Sequence, residues 1–135
     1  MGKKFGSSEW VEEFFTHLNE NVKYQKAAKD WEGDFVFVIE PDGSLDHEIR
    51  FYLDLWHGQA RSFRILSKDE SQPSEFVFSG LYSNFLKLFD GSLDPIRGLM
   101  NNSFKIIGDM KKVMRSTKAA MKLIETMQSV ETDFY

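Results

Sequence analysis

Residues 91–127 narrow the folds open to this chain more than any other stretch. Gly91-Ser-Leu-Asp94-Pro95 reads as a turn into a short helix over 95–100, Phe104-Lys-Ile-Ile as a short strand, and Gly108-Asp109 as a second turn. Beyond Asp109 the pattern is helical. At ~100° per residue, Met110, Val113, Met114, Thr117, Ala120, Met121, Leu123, Ile124 and Met127 fall on one half. Lys111, Arg115, Lys118 and Lys122 form a single stripe on the other half, with Lys112 beside it. Asp109 is placed to cap the helix, and its charge suits the helix dipole. Some twenty residues make a rod of about 30 Å, enough to cover one face of a small domain. Methionine is unbranched and polarizable, so a wall made of it adapts to varied apolar guests. The same pattern also fits a helix that only closes a core, with its lysines as a solvated face.

The rest of the chain supplies the layer that such a helix covers. Ser8 can cap a first helix whose apolar face is Val11, Phe14, Phe15, Leu18 and Val22, and the pattern predicts that it runs to Lys29. Asp34–Glu40 reads Phe-Val-Phe-Val-Ile in its middle, apolar on both faces and hence a central strand. Pro41-Asp-Gly-Ser is a turn, since proline fixes φ and glycine tolerates φ above zero. Ile49–Trp56 alternates, with Ile49, Phe51, Leu53 and Leu55 on one face. His57-Gly58 turns into a strand over Ala60–Leu66 with Phe63 and Ile65 inward, and a polar loop leads to a short strand at Glu75–Ser79. Gly80 opens a helix bearing Leu81, Tyr82, Phe85, Leu86, Leu88 and Phe89.

Composition excludes several classes. Without cysteine there are no disulfides, thiol chemistry or thiolate metal sites. No apolar run follows Lys3 and Lys4 and none reaches transmembrane length, so a soluble cytoplasmic protein is expected. The start Met-Gly-Lys-Lys-Phe-Gly lacks the Ser or Thr that myristoylation wants at its sixth position. The net charge of −4 hides an asymmetry: residues 110–124 carry five cations and no anion, so the remainder carries −9. An acidic body argues against nucleic-acid binding, while a basic helix on it can touch an anionic membrane. Thirteen phenylalanines against four tyrosines give large dry volume without hydrogen-bonding groups, either packed ring on ring or left around a cavity.

Catalysis finds no foothold. His17, His47 and His57 lack metal-site spacing, and the possible neighbours Asp54 and His57 lie on an outward strand face and a turn. No nucleophile elbow accompanies Ser62, Ser79 or Ser83, and glycines 80, 91, 98 and 108 fit no phosphate-binding loop. Neither an enzymatic activity nor a cofactor is expected.

Four pieces in order, the strand pair Phe35–Ile39 and Phe51–Leu55, Phe76-Val-Phe-Ser-Gly80-Leu, Gly91-Ser-Leu-Asp94-Pro95 and Phe104-Lys-Ile-Ile-Gly108-Asp109, span nearly the whole chain. In that order and spacing the chain resembles the sterol carrier protein 2 lipid-binding domain family. The resemblance implies an α/β (α+β) two-layer domain over 1–135, with a five-stranded, largely antiparallel sheet and helices on one face. Segments 1–6 and 129–135 are expected to be loose. It also implies an apolar tunnel between the layers for fatty acid, acyl-CoA, phospholipid or sterol, with the last helix in its wall. On that footing the lining is expected from Phe76, Phe78, Leu81, Phe85, Phe89, Met100, Phe104, Ile106, Met110, Met114 and Met121, and selectivity among lipids should be poor. Lys111, Arg115, Lys118 and Lys122 are the expected membrane contacts. Two departures stand out: Asn101-Asn102-Ser103 replaces the family's usual glycine before the last strand, and the chain ends Asp-Phe-Tyr without a peroxisomal Ser-Lys-Leu signal. A domain of this fold with its tunnel filled by its own side chains, acting as a non-catalytic accessory subunit, is the competing expectation.

Overall fold

The structure, a computed structural model, describes residues 2–135. In chain order its elements are β1 (Lys3–Lys4), α1 (Ser8–Glu20), α2 (Val22–Ala27), β2 (Glu32–Glu40), β3 (Ile49–Trp56), β4 (Gln59–Leu66) and β5 (Phe76–Leu81). Then come α3 (Tyr82–Phe89), α4 (Pro95–Met100), β6 (Phe104–Ile107), α5 (Met110–Met114), α6 (Thr117–Ser129) and β7 (Thr132–Asp133). Five strands form one mixed sheet in the order β4-β3-β2-β5-β6. Its single parallel pair, β2 with β5, sets Phe35 beside Phe76 and Phe37 beside Phe78; the other pairs are antiparallel.

Alternation decides which face is covered. Phe35, Phe37, Ile39, Phe51, Leu53, Leu55, Phe76 and Phe78 point into the core with the helices. The opposite face carries Arg50, Tyr52 and Asp54, where Tyr52 donates to Asp34 Oδ2 at 2.7 Å and Arg61 makes a two-pronged pair with Asp54 at 3.1 Å. Phe63 packs its ring against Phe15 at 5.1 Å, but Ile65, on the edge strand β4, stays 39% exposed.

Two helices that periodicity draws as continuous are broken. The first divides at Asn21, whose Oδ1 accepts from the backbone N–H of Lys23 and Tyr24 and so caps α2. The Asn21 amide also donates to Thr126 Oγ1 at 2.7 Å, tying the break to α6. The helix after Asp109 divides at Arg115–Ser116, so the lysine stripe and the methionine row each lie on two rods with different phases. The cap of α1 is Ser7, not Ser8. Gly80 and Leu81 extend β5, because glycine leaves the space that Phe104 fills on the neighbouring strand β6.

The two ends, expected to be loose, hold each other. β1 pairs in parallel with β7, and the Phe5 N–H donates to Asp133 O at 2.9 Å. Phe5 is fully buried between Trp10 and Phe89, with ring centroids at 4.9 and 5.2 Å. Trp10 donates its indole N–H to Thr132 Oγ1 at 2.8 Å, so the bond is made from inside the core.

Candidate functional site

An apolar cavity of about 60 Å³ lies between the sheet and the later helices. Its floor is Leu55, Phe35, Phe37, Phe78 and Ile106, taken from four neighbouring strands. Its roof comes from Pro95, Ile96 and Leu99 on α4, Val113 on α5, and Ala119, Ala120, Leu123 and Ile124 on α6. Tyr24 and Trp31 complete the wall, and Ser116 stands at the α5–α6 break. The floor is paved with stacked rings: Trp31 on Phe35 at 5.9 Å, Phe35 on Phe76 at 5.0 Å, and Phe37 on Phe51 at 5.0 Å. Two of the three roof segments start at a local cap. Asp94 accepts from the Arg97 N–H at 2.8 Å and Pro95 occupies the first turn, which sets α4 going over β6. Asp109 accepts from the Lys111 N–H at 3.0 Å and starts α5.

Polar groups in this wall are few. The Trp31 indole N–H donates to Gly33 O at 2.9 Å, which leaves the hydroxyls of Ser116 and Tyr24. Burial alone pushes the Tyr24 phenol well above the ordinary tyrosine range. That direction means a neutral hydroxyl in a dry setting.

The residues expected to line the site are distributed. Phe78 and Ile106 lie on the cavity wall. Phe76 is buried under Phe35, while Phe85 and Phe104 pack behind Phe78, with ring centroids 6.0 and 5.0 Å from it. Phe89 belongs to the cluster around the paired termini, 4.8 Å from Phe134. Leu81 is 41% exposed and Met100 73% exposed, both turned to solvent. Met110 and Met114 are half-buried and away from the cavity, and Met121 lines an outer groove. The roof of α5 and α6 is thus small and branched residues, not methionine: Val113, Ala120, Leu123 and Ile124 of the expected apolar half, joined by Ala119. The sequence signal for them lies in the i, i+4 pairs Ala119–Leu123 and Ala120–Ile124. Tyr24 gives none, standing among Lys23, Gln25 and Lys26.

The outer groove, about 460 Å³, runs between Gly91–Pro95 and the exposed side of α6, and shares Pro95 and Ile124 with the cavity. Of the four expected membrane contacts, Lys111, Arg115 and Lys118 are exposed, while Lys122 is half-buried and pairs with Glu125 at 2.9 Å. Lys112 is withdrawn from the stripe, bonded to Glu75 at 2.7 Å above the Trp31 ring. No helix among the described residues is long and apolar enough to cross a membrane. His57 meets Glu32 at 2.6 Å in an exposed pair, and Asp54 is held by Arg61.

A model of the SCP-2 sterol transfer family matches residues 11–121. The chain belongs to the SCP-2 sterol transfer family. A crystal structure of sterol carrier protein 2 superposes with a TM-score of 0.84 at 25% identity, covering 94% of this chain and 99% of that one. The solution structure of a conserved Thermus thermophilus protein, described as possibly a sterol carrier protein, gives 0.85 at 24% identity, with 98% and 93% covered. Among curated proteins, hydroxysteroid dehydrogenase-like protein 2 of Xenopus tropicalis is 27% identical over 99 residues, 73% of this chain. The chain spans only 22% of that protein's length. SCP-2 domains are generally non-catalytic lipid carriers, and family and fold together support a lipid-binding or sterol-transfer role.

Proposed function

We propose that this chain is a carrier that holds the apolar body of a lipid (fatty acid, acyl-CoA, phospholipid or sterol-like) between its sheet and α4–α6, and exchanges it with membranes. The observation behind this reading is the apolar cavity, walled on one side by three separate helical segments. At about 60 Å³ it is far below the 300–1,000 Å³ typical of ligand pockets, so a lipid must push the roof outward. The roof is built to yield: α4 has six residues and α5 five, each too short to hold its shape without packing. Burying about fifteen methylenes at ~0.8 kcal/mol yields on the order of 12 kcal/mol. A micromolar complex needs about 8, which leaves about 4 for association and opening. Native mass spectrometry of purified protein should show bound lipid, and a fluorescent acyl probe should bind at micromolar protein. Failure of both removes the carrier reading.

The ring-paved floor favours one competing reading, a self-filled domain that serves as an accessory subunit. It predicts protein with no lipid aboard and no probe uptake.

Exchange with membranes would use the cations that remain free on α5 and α6. Each contributes ~1 kcal/mol near an anionic surface, and the attraction is screened within about 10 Å at 0.1 M salt. The double variant Lys111→Glu, Arg115→Glu is expected to slow delivery of a fluorescent fatty acid to anionic vesicles by at least about tenfold at low salt. Delivery to neutral vesicles should barely change. Equal rates to anionic vesicles for both proteins would dispose of this docking surface.

A further inference from the structure

Tyr24 is the one buried tyrosine whose hydroxyl meets no other group. It is 2% exposed, and among the described residues nothing donates to or accepts from its hydroxyl. No fully enclosed side-chain oxygen lacks a partner among those residues, so this one borders a little free space. The other buried tyrosine is served, since Tyr82 accepts from the Tyr135 N–H at 2.9 Å, and the half-buried Tyr52 on the outer sheet face donates to Asp34 at 2.7 Å. Burial is the sole influence on the Tyr24 phenol, whereas those of Tyr52 and Tyr82 also feel named neighbours. A hydroxyl on so buried a side chain that meets no protein partner is uncommon in folded proteins.

Its position gives the orphan a meaning. The cavity crosses the sheet from Leu55 on β3 to Ile106 on β6, about three strand spacings or roughly 14 Å. At one end Pro95 of α4 and Ile124 of α6 line both the cavity and the outer groove. At the other end stands α2, with the backbone of Gln25 against Gly58 of the β3–β4 hairpin. A lipid that passes between Pro95 and Ile124 therefore travels toward Tyr24 as it fills the cavity. Leu55, Phe35 and Trp31 around that end offer it no free polar group, since the Trp31 N–H is already bonded.

We propose that Tyr24 is a polar end-stop of the cavity, and that it admits lipids carrying a neutral oxygen, a hydroxyl or carbonyl, at the end that enters first. The inference rests on the carrier reading and narrows it. An all-apolar tunnel would reject such a ligand, because a hydroxyl buried without a partner is strongly disfavoured. An ionised carboxylate remains excluded from this end, as no cation faces it among the wall residues. A fatty acid would then keep its carboxylate at the groove and present its far end to Tyr24.

A matched pair of ligands tests this: hexadecanoate and the same acid hydroxylated at its terminal carbon, each displacing a fluorescent acyl probe from the full chain and from Tyr24→Phe. The wild-type chain should bind the two acids within about threefold of each other. Tyr24→Phe should bind the hydroxylated acid at least about tenfold more weakly than hexadecanoate, since the hydroxyl then has no partner. The unliganded variant should melt no lower than the wild type, because it loses only an unpaired group. Equal ratios in the two proteins, a wild-type preference of tenfold or more for hexadecanoate, or a lower melting temperature of the variant would each overturn the proposal. If neither acid nor the probe binds either protein, the carrier reading itself fails, an outcome distinct from lost discrimination.

Discussion

Phe104→Ala is expected to lower the unfolding free energy by about 4 kcal/mol, the upper range for a buried phenylalanine. Three features place it there. The ring is 1% exposed and is stacked on Phe78 at 5.0 Å, with Phe85 edge-on at 5.2 Å. Two glycines flank it: a Cβ added at Gly80 or Gly98 would stand 2.5 or 2.4 Å from its ring carbons. Neither can fill the space left behind, so the void persists and the cavity contribution is fully felt. The third feature is the load the ring carries, for Gly98 is how α4 reaches β6, and α4 supplies Pro95, Ile96 and Leu99 to the roof. For a chain of this size the loss corresponds to roughly 10–20 °C in melting temperature. Urea unfolding with an unchanged slope should report the same energy. Gly98→Val should cost about 1–3 kcal/mol from the opposite cause, overpacking against the same ring. A loss below about 1 kcal/mol for Phe104→Ala would mean that α4 settles onto the sheet without its ring.

Much of this fold is written in short stretches of chain. Strand alternation at Ile49–Trp56, the Pro41–Gly43 turn and the Asp94-Pro95 helix start depend on neighbouring residues, and each appears in the structure where the pattern puts it. The features that a local pattern misses depend on partners distant in sequence. The break at Asn21 is secured by Thr126, and the paired ends by Phe5 inside a ring cluster that joins Trp10 of α1, Phe89 of α3 and Phe134. The apolar half of the last helix holds Ala120, Leu123 and Ile124 beside the methionines, and periodicity alone does not say which of them faces the sheet. Phenylalanine abundance indicates dry volume but not its allocation, and most of the rings stack on one another around a small cavity. Tyr24 is invisible in the sequence because only the folded chain shows that its hydroxyl is left over.

Phe78→Ala should separate the two readings of that cavity. Phe78 is a floor ring, 6% exposed, stacked on Phe104 and tilted against Phe37 at 6.0 Å. Removing it costs the unliganded chain about 3–4 kcal/mol, and the space it vacates joins the existing apolar cavity. Apolar voids of this kind stay dry and accept apolar guests. Lipid should therefore stabilise the variant, by about 2.7 kcal/mol at a hundred times its dissociation constant. In a carrier both proteins melt later with added fatty acid, and the variant gains more because less roof must be displaced. In a self-filled accessory domain the wild type does not respond and the variant alone gains, since the ring was occupying the guest's place. A wild-type response that Phe78→Ala leaves unchanged would put the lipid elsewhere, against the outer groove and not over the sheet.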